Sequence, residues 1–180
     1  MTVRFEPRGA RTEMTFVQTG FQSKRRRDGN AEGWLECFRK LDAAIAKREL
    51  RALFDSWFQA SEHRDLDASM APIAADVLSY EHEAPLQVRG VDALRANCKR
   101  GFDAAPGKFR WDIPDLRILV RGDLAITWGL NRMRAEAFEG WSRGTRVFQK
   151  IDGAWKLIHQ HVSYPFDLES GRARTDLTPE

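Results

Sequence analysis

The sequence predicts an α+β fold, with helices lying on one face of a curved antiparallel sheet. Three patterns carry that reading. Between Ala31 and Glu62 apolar residues recur at three- and four-residue steps, the period of a helix. From Phe109 onward they alternate, the period of strands. Two apolar strands then flank Asp152-Gly153, a dipeptide that supplies the positive φ angles of a tight hairpin. Helices first and a meander of strands afterwards is the α+β order.

The totals fit one ordinary domain with tails. The chain has 180 residues, 42% hydrophobic and 11% aromatic, enough for a real core. Its net charge of +3 comes from 29 basic and 26 acidic residues, a balance that says little about partners; nucleic acid is not an expected partner, because the run of four basic residues has no interleaved aromatics. Cys37 and Cys98 lie far apart without metal-ligand spacing and read as small buried hydrophobes. No apolar run approaches the ~20 residues of a membrane helix. The expectation is a cytoplasmic protein without a membrane segment.

Residues 1–30 show little periodicity and carry Lys24-Arg25-Arg26-Arg27; they read as a flexible basic arm, with Thr15-Phe16-Val17 as a candidate edge strand. A tether to an anionic partner is the sharper alternative for this arm. The domain proper is placed at 31–168. Its first helix carries Trp34, Leu35, Phe38, Leu41 and Ile45, then Leu50, Leu53, Phe54, Trp57 and Phe58. Asn30 stands where an N-cap would, and Lys47-Arg48-Glu49 interrupts the stripe, predicting a kink or break. Asp65 caps a short helix limited by Pro72, and Asp76 to Glu83 is a strand stopped by Pro85. Leu86-Gln87-Val88 pairs briefly, and Asp92 caps a helix ending near Gly101-Phe102. Phe109 to Val120 is a strand broken at Pro114, and Leu124 to Phe138 leads into the closing hairpin. Residues 169–180 have the composition of a tail.

With these elements in place, Ala-Asp-Val-Leu-Ser-Tyr-Glu (75–81), Arg-Gly-Val-Asp-Ala-Leu-Arg (89–95), Gly-Asp-Leu-Ala-Ile-Thr-Trp (122–128) and the run from Gly144 to Ser163 resemble the NTF2-like superfamily. The nearest likeness is to SnoaL-like and ketosteroid-isomerase-like bacterial members. The closing hairpin also resembles the association domain of calcium/calmodulin-dependent protein kinase II. The resemblance covers about Arg48 to Asp167. It implies a strongly bent sheet wrapped round helices, a pocket inside and a dimer interface on the outer sheet face. It does not imply one reaction, because this fold hosts isomerases, cyclases, dehydratases and pure binding or assembly modules.

Glu81 is the catalytic candidate. In ketosteroid isomerases the proton-shuttling carboxylate ends the corresponding strand, and a carboxylate at the mouth of an apolar cone gains basicity through desolvation. The isomerase also needs a tyrosine and a protonated aspartate as enolate donors. Here those positions fall on Trp57 and at or beside Thr145, a departure that argues against authentic steroid isomerisation.

Arg146 matches a pocket-facing arginine of the kinase association domain. A guanidinium inside a cone requires an anion. Two anions are open: Glu81 itself, which would make the pair structural, or an acidic ligand. Other pocket positions of that domain become Asn131, Phe102, Leu94 and Val162, so the pocket is less cationic. Residues 157–162 depend on the hairpin loop. A three-residue loop with a bulge puts Phe148, Gln160 and Val162 beside Arg146, and leaves His159 and His161 outside with Trp155 and Trp128 as a dimer interface. A two-residue loop puts His159 opposite Arg146. The two histidines lack a third ligand, so neither a metal nor another cofactor is expected. His82 is a candidate for the rim.

Two functions follow. One is acid–base chemistry on a small carbonyl compound, with Glu81 as acid–base and Arg146, Trp57 and Asn131 orienting the substrate. The other is a non-catalytic ligand-binding or assembly module holding an acidic small molecule on Arg146. The expected partners are a small-molecule ligand and a second copy of the chain, paired through the sheet face.

Overall fold

The computed structural model describes residues 1–9, 11–104, 107–136 and 138–179. It falls into two compact units, Met1–Leu41 and Asp42–Glu180. The first unit contains strands β1 (Thr2–Arg8) and β2 (Arg11–Val17), paired antiparallel in a two-stranded sheet. Residues 1–30 are therefore not a featureless arm: alternation in Val3, Phe5, Met14 and Phe16 makes one apolar face, and Gly9 at φ 64° turns the chain. Phe16 packs against Trp34 and Phe38, with ring centroids at 4.4 and 5.8 Å. Trp34 Nε1 also donates to Gln18 Oε1 at 2.9 Å.

Helix α1 (Lys24–Glu62) starts in the first unit and ends in the second. Its cap is Ser23, whose Oγ accepts from Arg26 N at 3.3 Å. Asn30 instead lies inside the helix, donating to Arg26 O. The basic run Lys24 to Arg27 forms the first turn, and the expected break at Lys47-Arg48-Glu49 is absent: with no Gly or Pro near these three residues the helix runs on. Leu35, Leu41 and Ile45 are exposed, so the core stripe begins only at Ala46.

In the second unit α1 buries Ala46, Leu50, Phe54 and Trp57 at helical spacing. Phe54 meets Phe148 of the sheet edge-on at 5.7 Å. Burial of such an aromatic makes truncation to alanine cost about 3–5 kcal/mol. Helix α2 (Leu66–Met70) is capped by Asp65, which accepts from Ala68 N at 3.0 Å. Strand β3 (Ile73–Tyr80) follows, then β4 (Val88–Arg89) and helix α3 (Val91–Ala104). Pro114 separates β5 (Phe109–Asp112) from β6 (Arg117–Arg121), as its missing N–H requires. Strands β7 (Leu124–Ala135), β8 (Phe138–Ile151) and β9 (Ala154–Ser163) form the meander. A small ladder of β10 (Phe166–Asp167) and β11 (Arg172–Ala173) gives structure to part of the expected tail. The curved seven-stranded sheet has the order β4-β3-β9-β8-β7-β5, with β6 beside β7. All its pairings are antiparallel except β3 with β9, which is parallel.

The hairpin resolves the question of loop length in an unforeseen way. The loop has two residues, Asp152 and Gly153, at φ 51° and 83°. A bulge then shifts the register between Val147 and Phe148, so Arg146 pairs with Gln160. Below the bulge, Trp155 and Leu157 lie on the buried face; above it, Gln160 and Val162 do. Among the described residues, no helix is long and apolar enough to cross a membrane. Cys37 is exposed rather than buried, although its neighbours Trp34 and Phe38 on α1 pack against Phe16.

Candidate functional site

The buried face of β7, β8, β9 and β3 carries an unusual density of polar groups. Cross-strand register sets Thr127, Arg146, Gln160 and Ser79 in one row. Alternation adds Asn131 and Ser142, a paired couple of β7 and β8, on the same face. All six are buried, Arg146 at only 3% exposure. Polar groups are placed in a core only where their hydrogen bonds can be met.

Arg146 is incompletely met. Its Nη2 donates to Asn131 Oδ1 at 2.8 Å, and Asn131 Nδ2 donates in turn to Ser142 Oγ at 3.1 Å. The guanidinium carbon lies 5.3 Å from the ring centroid of Trp111 and 5.9 Å from that of Trp57, within cation–π range. Nε and Nη1 are buried and, among the described residues, have no partner. The neighbouring Thr127 Oγ1 is also buried and unpartnered. Burial pushes the Arg146 guanidinium down to about 10, against the opposing field of Glu81. It remains charged at neutral pH.

Gly144 makes the room. A Cβ there would stand 2.8 Å from Arg146 Nη1 and 2.8 Å from Asn131 Nδ2. The guanidinium and its amide partner thus occupy the space that a side chain at position 144 would take.

Glu81 follows the end of β3 and is partly buried. Its Oε1 accepts from Gln160 Nε2 at 2.7 Å and also from Ser79 Oγ. Both donors fall on one oxygen, so Oε2 has no donor among the described residues. Glu81 and Arg146 form no ion pair; the salt-bridge alternative is not the arrangement adopted. Gln160, lying between Ser79 and Arg146 in the row, takes the carboxylate instead.

The remaining candidates are spread. Phe148 is in the core against Phe54, and Phe102 packs on Phe109 at 6.0 Å. His82 stacks on Tyr164 at 4.4 Å; desolvation lowers its pKa, opposed by Glu81 and Glu83. Cys98 of α3 senses the same acid: burial first, then Glu81, push its thiol up to about 11. Trp155 is not on the outer face as expected; it is buried, and its Nε1 donates to Glu49 at 2.8 Å. His159, His161, Trp128 and Thr145 do lie on the outer face, with Tyr80 edge-on to both histidines. Sequence reading missed Trp111, Ser79, Ser142, Gly144 and Thr127. Alternation from Arg146 reaches Ser142 and Gly144, and alternation from Glu81 reaches Ser79; Trp111 carried no such signal.

An open groove of about 530 Å³ lies elsewhere, lined by Leu53, Trp57, Ala71, Pro72, Trp155 and Lys156 among others. Trp57 is the residue it shares with the Arg146 site.

The fold matches known proteins. Residues 50–167 match the SnoaL-like domain model. The chain belongs to the SnoaL-like domain family. This SnoaL-like chain is similar to an NTF2-like protein of unknown function from Pseudomonas putida, at 32% identity and TM-score 0.72, covering 76% of this chain and 99% of that one. It shares its fold with a provisionally assigned ketosteroid isomerase from Parabacteroides distasonis, at 21% identity and TM-score 0.55, covering 67% and 88%. The same holds for a provisionally assigned calcium/calmodulin-dependent protein kinase II association domain from Xanthomonas campestris, at 20% identity and TM-score 0.57, covering 72% and 89%. Residues 1–46, outside the SnoaL-like match, are similar to the Activator of Hsp90 ATPase homolog 1-like model. No curated protein matches significantly.

Proposed function

We propose that the polar face of the sheet binds a small molecule bearing a carboxylate, whose anionic group completes the hydrogen bonding of Arg146. One observation carries the reading: a guanidinium at 3% exposure, with Nε and Nη1 unpartnered and no carboxylate in ion-pair contact. An unpaired buried charge costs several kcal/mol, which an incoming anion would recover. Trp57 and Trp111 beside the guanidinium supply apolar wall for the rest of the ligand. The test is a thermal-shift panel of small carboxylates on the wild type and Arg146→Met. A ligand at a hundredfold its Kd stabilises by about 2.7 kcal/mol. The reading expects such a shift for the wild type only; equal shifts in Arg146→Met, or none in either, would count against it.

A second reading adds chemistry at Glu81. Ser79 and Gln160 anchor Oε1 and leave Oε2 without a donor, an arrangement suited to taking a proton from a bound carbonyl compound. The second enolate donor of an isomerase is missing, since Thr145 points to the opposite face. Deuterium exchange into ligands that stabilise the protein, with Glu81→Gln as control, reads this out: exchange that persists in Glu81→Gln would remove the acid from the chemistry.

We also propose that the outer sheet face pairs two copies. The row Tyr80, His161, Thr145 and Trp128 runs across four strands there, and Ile126, Leu124 and Leu119 are 40–44% exposed beside it. Native mass spectrometry of Trp128→Glu should show loss of the pairing; an unchanged oligomer would refute this interface.

A further inference from the structure

A buried hydroxyl beside Arg146 meets no partner. Thr127 of β7 is fully buried and stands directly opposite Arg146 of β8, in the row that continues through Gln160 to Ser79. Its neighbour on the other side is Ile118 of β6. Along β7 the next residues on the same face are Ala125 and Gly129. Of these four neighbours only Arg146 has a polar side chain. Among the described residues neither Thr127 Oγ1 nor Arg146 Nε and Nη1 has a hydrogen-bond partner.

The two groups could satisfy each other, since a threonine oxygen accepts from a guanidinium N–H. They do not. Arg146 leans along its strand over Gly144 to reach Asn131, four residues from Thr127. Nε, the guanidinium nitrogen nearest the β8 backbone, is thus left unmet beside an unmet hydroxyl. The Cβ atoms of a directly opposed pair stand about 4.5–5.5 Å apart. A buried hydroxyl without a partner is unfavourable, and valine would set a methyl group in its place. The chain carries the hydroxyl nonetheless. Gln160, on the other side of Arg146, already donates to Glu81 at 2.7 Å.

We infer that Thr127 determines specificity: its hydroxyl holds an oxygen on the carbon next to the ligand's carboxylate, which makes the ligand a 2-oxo or 2-hydroxy acid. This rests on the reading that a carboxylate completes Arg146, and it adds a second oxygen to that ligand. The carboxylate and the 2-oxygen sit on adjacent carbons, a spacing that suits two side chains facing each other across one strand pair. A 2-oxo group accepts the Thr127 proton, and a 2-hydroxyl group can also donate to Oγ1. The same acid without that oxygen leaves Thr127 unmet, and a site built to hydrogen-bond a polar group rejects the analogue lacking it.

The test uses three acids of one carbon skeleton: 4-methyl-2-oxopentanoate, 2-hydroxy-4-methylpentanoate and 4-methylpentanoate. Their branched tail suits the walls of Trp57 and Trp111. Titration calorimetry compares the wild type with Thr127→Val, Thr127→Ser and Arg146→Met. The wild type should bind the oxygenated acids roughly tenfold more tightly than the plain one. Tightening of the oxo acid alone would make Thr127 a donor, and of the hydroxy acid alone an acceptor; either supports the inference. Thr127→Val should erase the preference without lowering the thermal midpoint, and Thr127→Ser should keep it. Arg146→Met should weaken binding of all three acids. Equal affinities in the wild type would overturn the role of Thr127; binding that still depended on Arg146 would leave the carboxylate reading standing. A preference that survives in Thr127→Val, with or without a fall in midpoint, would assign the hydroxyl no part in selection. No binding of any of the three acids would overturn both readings together.

Discussion

Gln160 holds Glu81, with Nε2 donating to Oε1 at 2.7 Å, although the strand partner of Gln160 is the buried Arg146. The amide keeps acid and guanidinium from neutralising each other. Most of what the site can do follows from that separation.

If Gln160 is the separator, Gln160→Leu should release Glu81 to approach Arg146. The variant should then lose the carboxylate-dependent thermal shift of the wild type while gaining stability in its absence. Calorimetry with and without a binding carboxylate checks both signs. Retention of the full shift would show that Gln160 has no such role.

Arg146→Met should raise the stability of the unliganded protein by about 1–3 kcal/mol. The guanidinium is driven from its ordinary value to about 10 by desolvation, and a displacement of that size is worth a few kcal/mol. A flexible apolar side chain of similar length removes that cost and keeps the packing. Urea denaturation measures it; a large loss of stability would mean that Arg146 is held by more than Asn131 and two rings.

Gly144→Ala adds one methyl group at 2.8 Å from Arg146 Nη1 and from Asn131 Nδ2. Both side chains must shift, and over-packing of this kind costs about 1–3 kcal/mol. The expected signature is a moderate drop in thermal midpoint with a disproportionate loss of carboxylate binding. Binding unchanged from wild type would contradict the placement of the ligand beside Nη1.

His82 gives a pH dependence with a definite sign. Burial against Tyr164 lowers its pKa, so between the folded and unfolded values the unfolded chain binds more protons. Its contribution is complete above the unfolded histidine value of about 6.5 and is lost as pH falls below that. His82→Gln should therefore flatten the decline of the thermal midpoint between pH 7 and pH 5. An identical decline in both proteins would assign the effect to other groups.

Much of the fold was legible because periodicity and turn chemistry agree. The Asp152-Gly153 turn, the cap at Asp65 and the break at Pro114 each rest on a local physical requirement. The bulge that returns Gln160 to the face of Arg146 was only one of two open alternatives, and its combination with a two-residue loop was not foreseen. A one-residue slip in a strand reverses every side chain, which is why Trp155 and Gln160 both lie inside although the spacing between them is odd. The β1–β2 hairpin was hidden by charge: Arg4, Glu6, Arg8 and Glu13 mask the alternation of Val3, Phe5, Met14 and Phe16 in composition. Glu81 and Arg146 were legible as a pair of charges, but their separation by Gln160 depended on cross-strand register.

The most direct test is a crystal structure with a carboxylate selected for its stabilising effect. A carboxylate oxygen is expected within hydrogen-bonding distance of Arg146 Nε or Nη1, with Gln160 still on Glu81. A carboxylate lodged instead in the groove beside Lys156, or Arg146 turned onto Glu81 with the ligand elsewhere, would contradict the account.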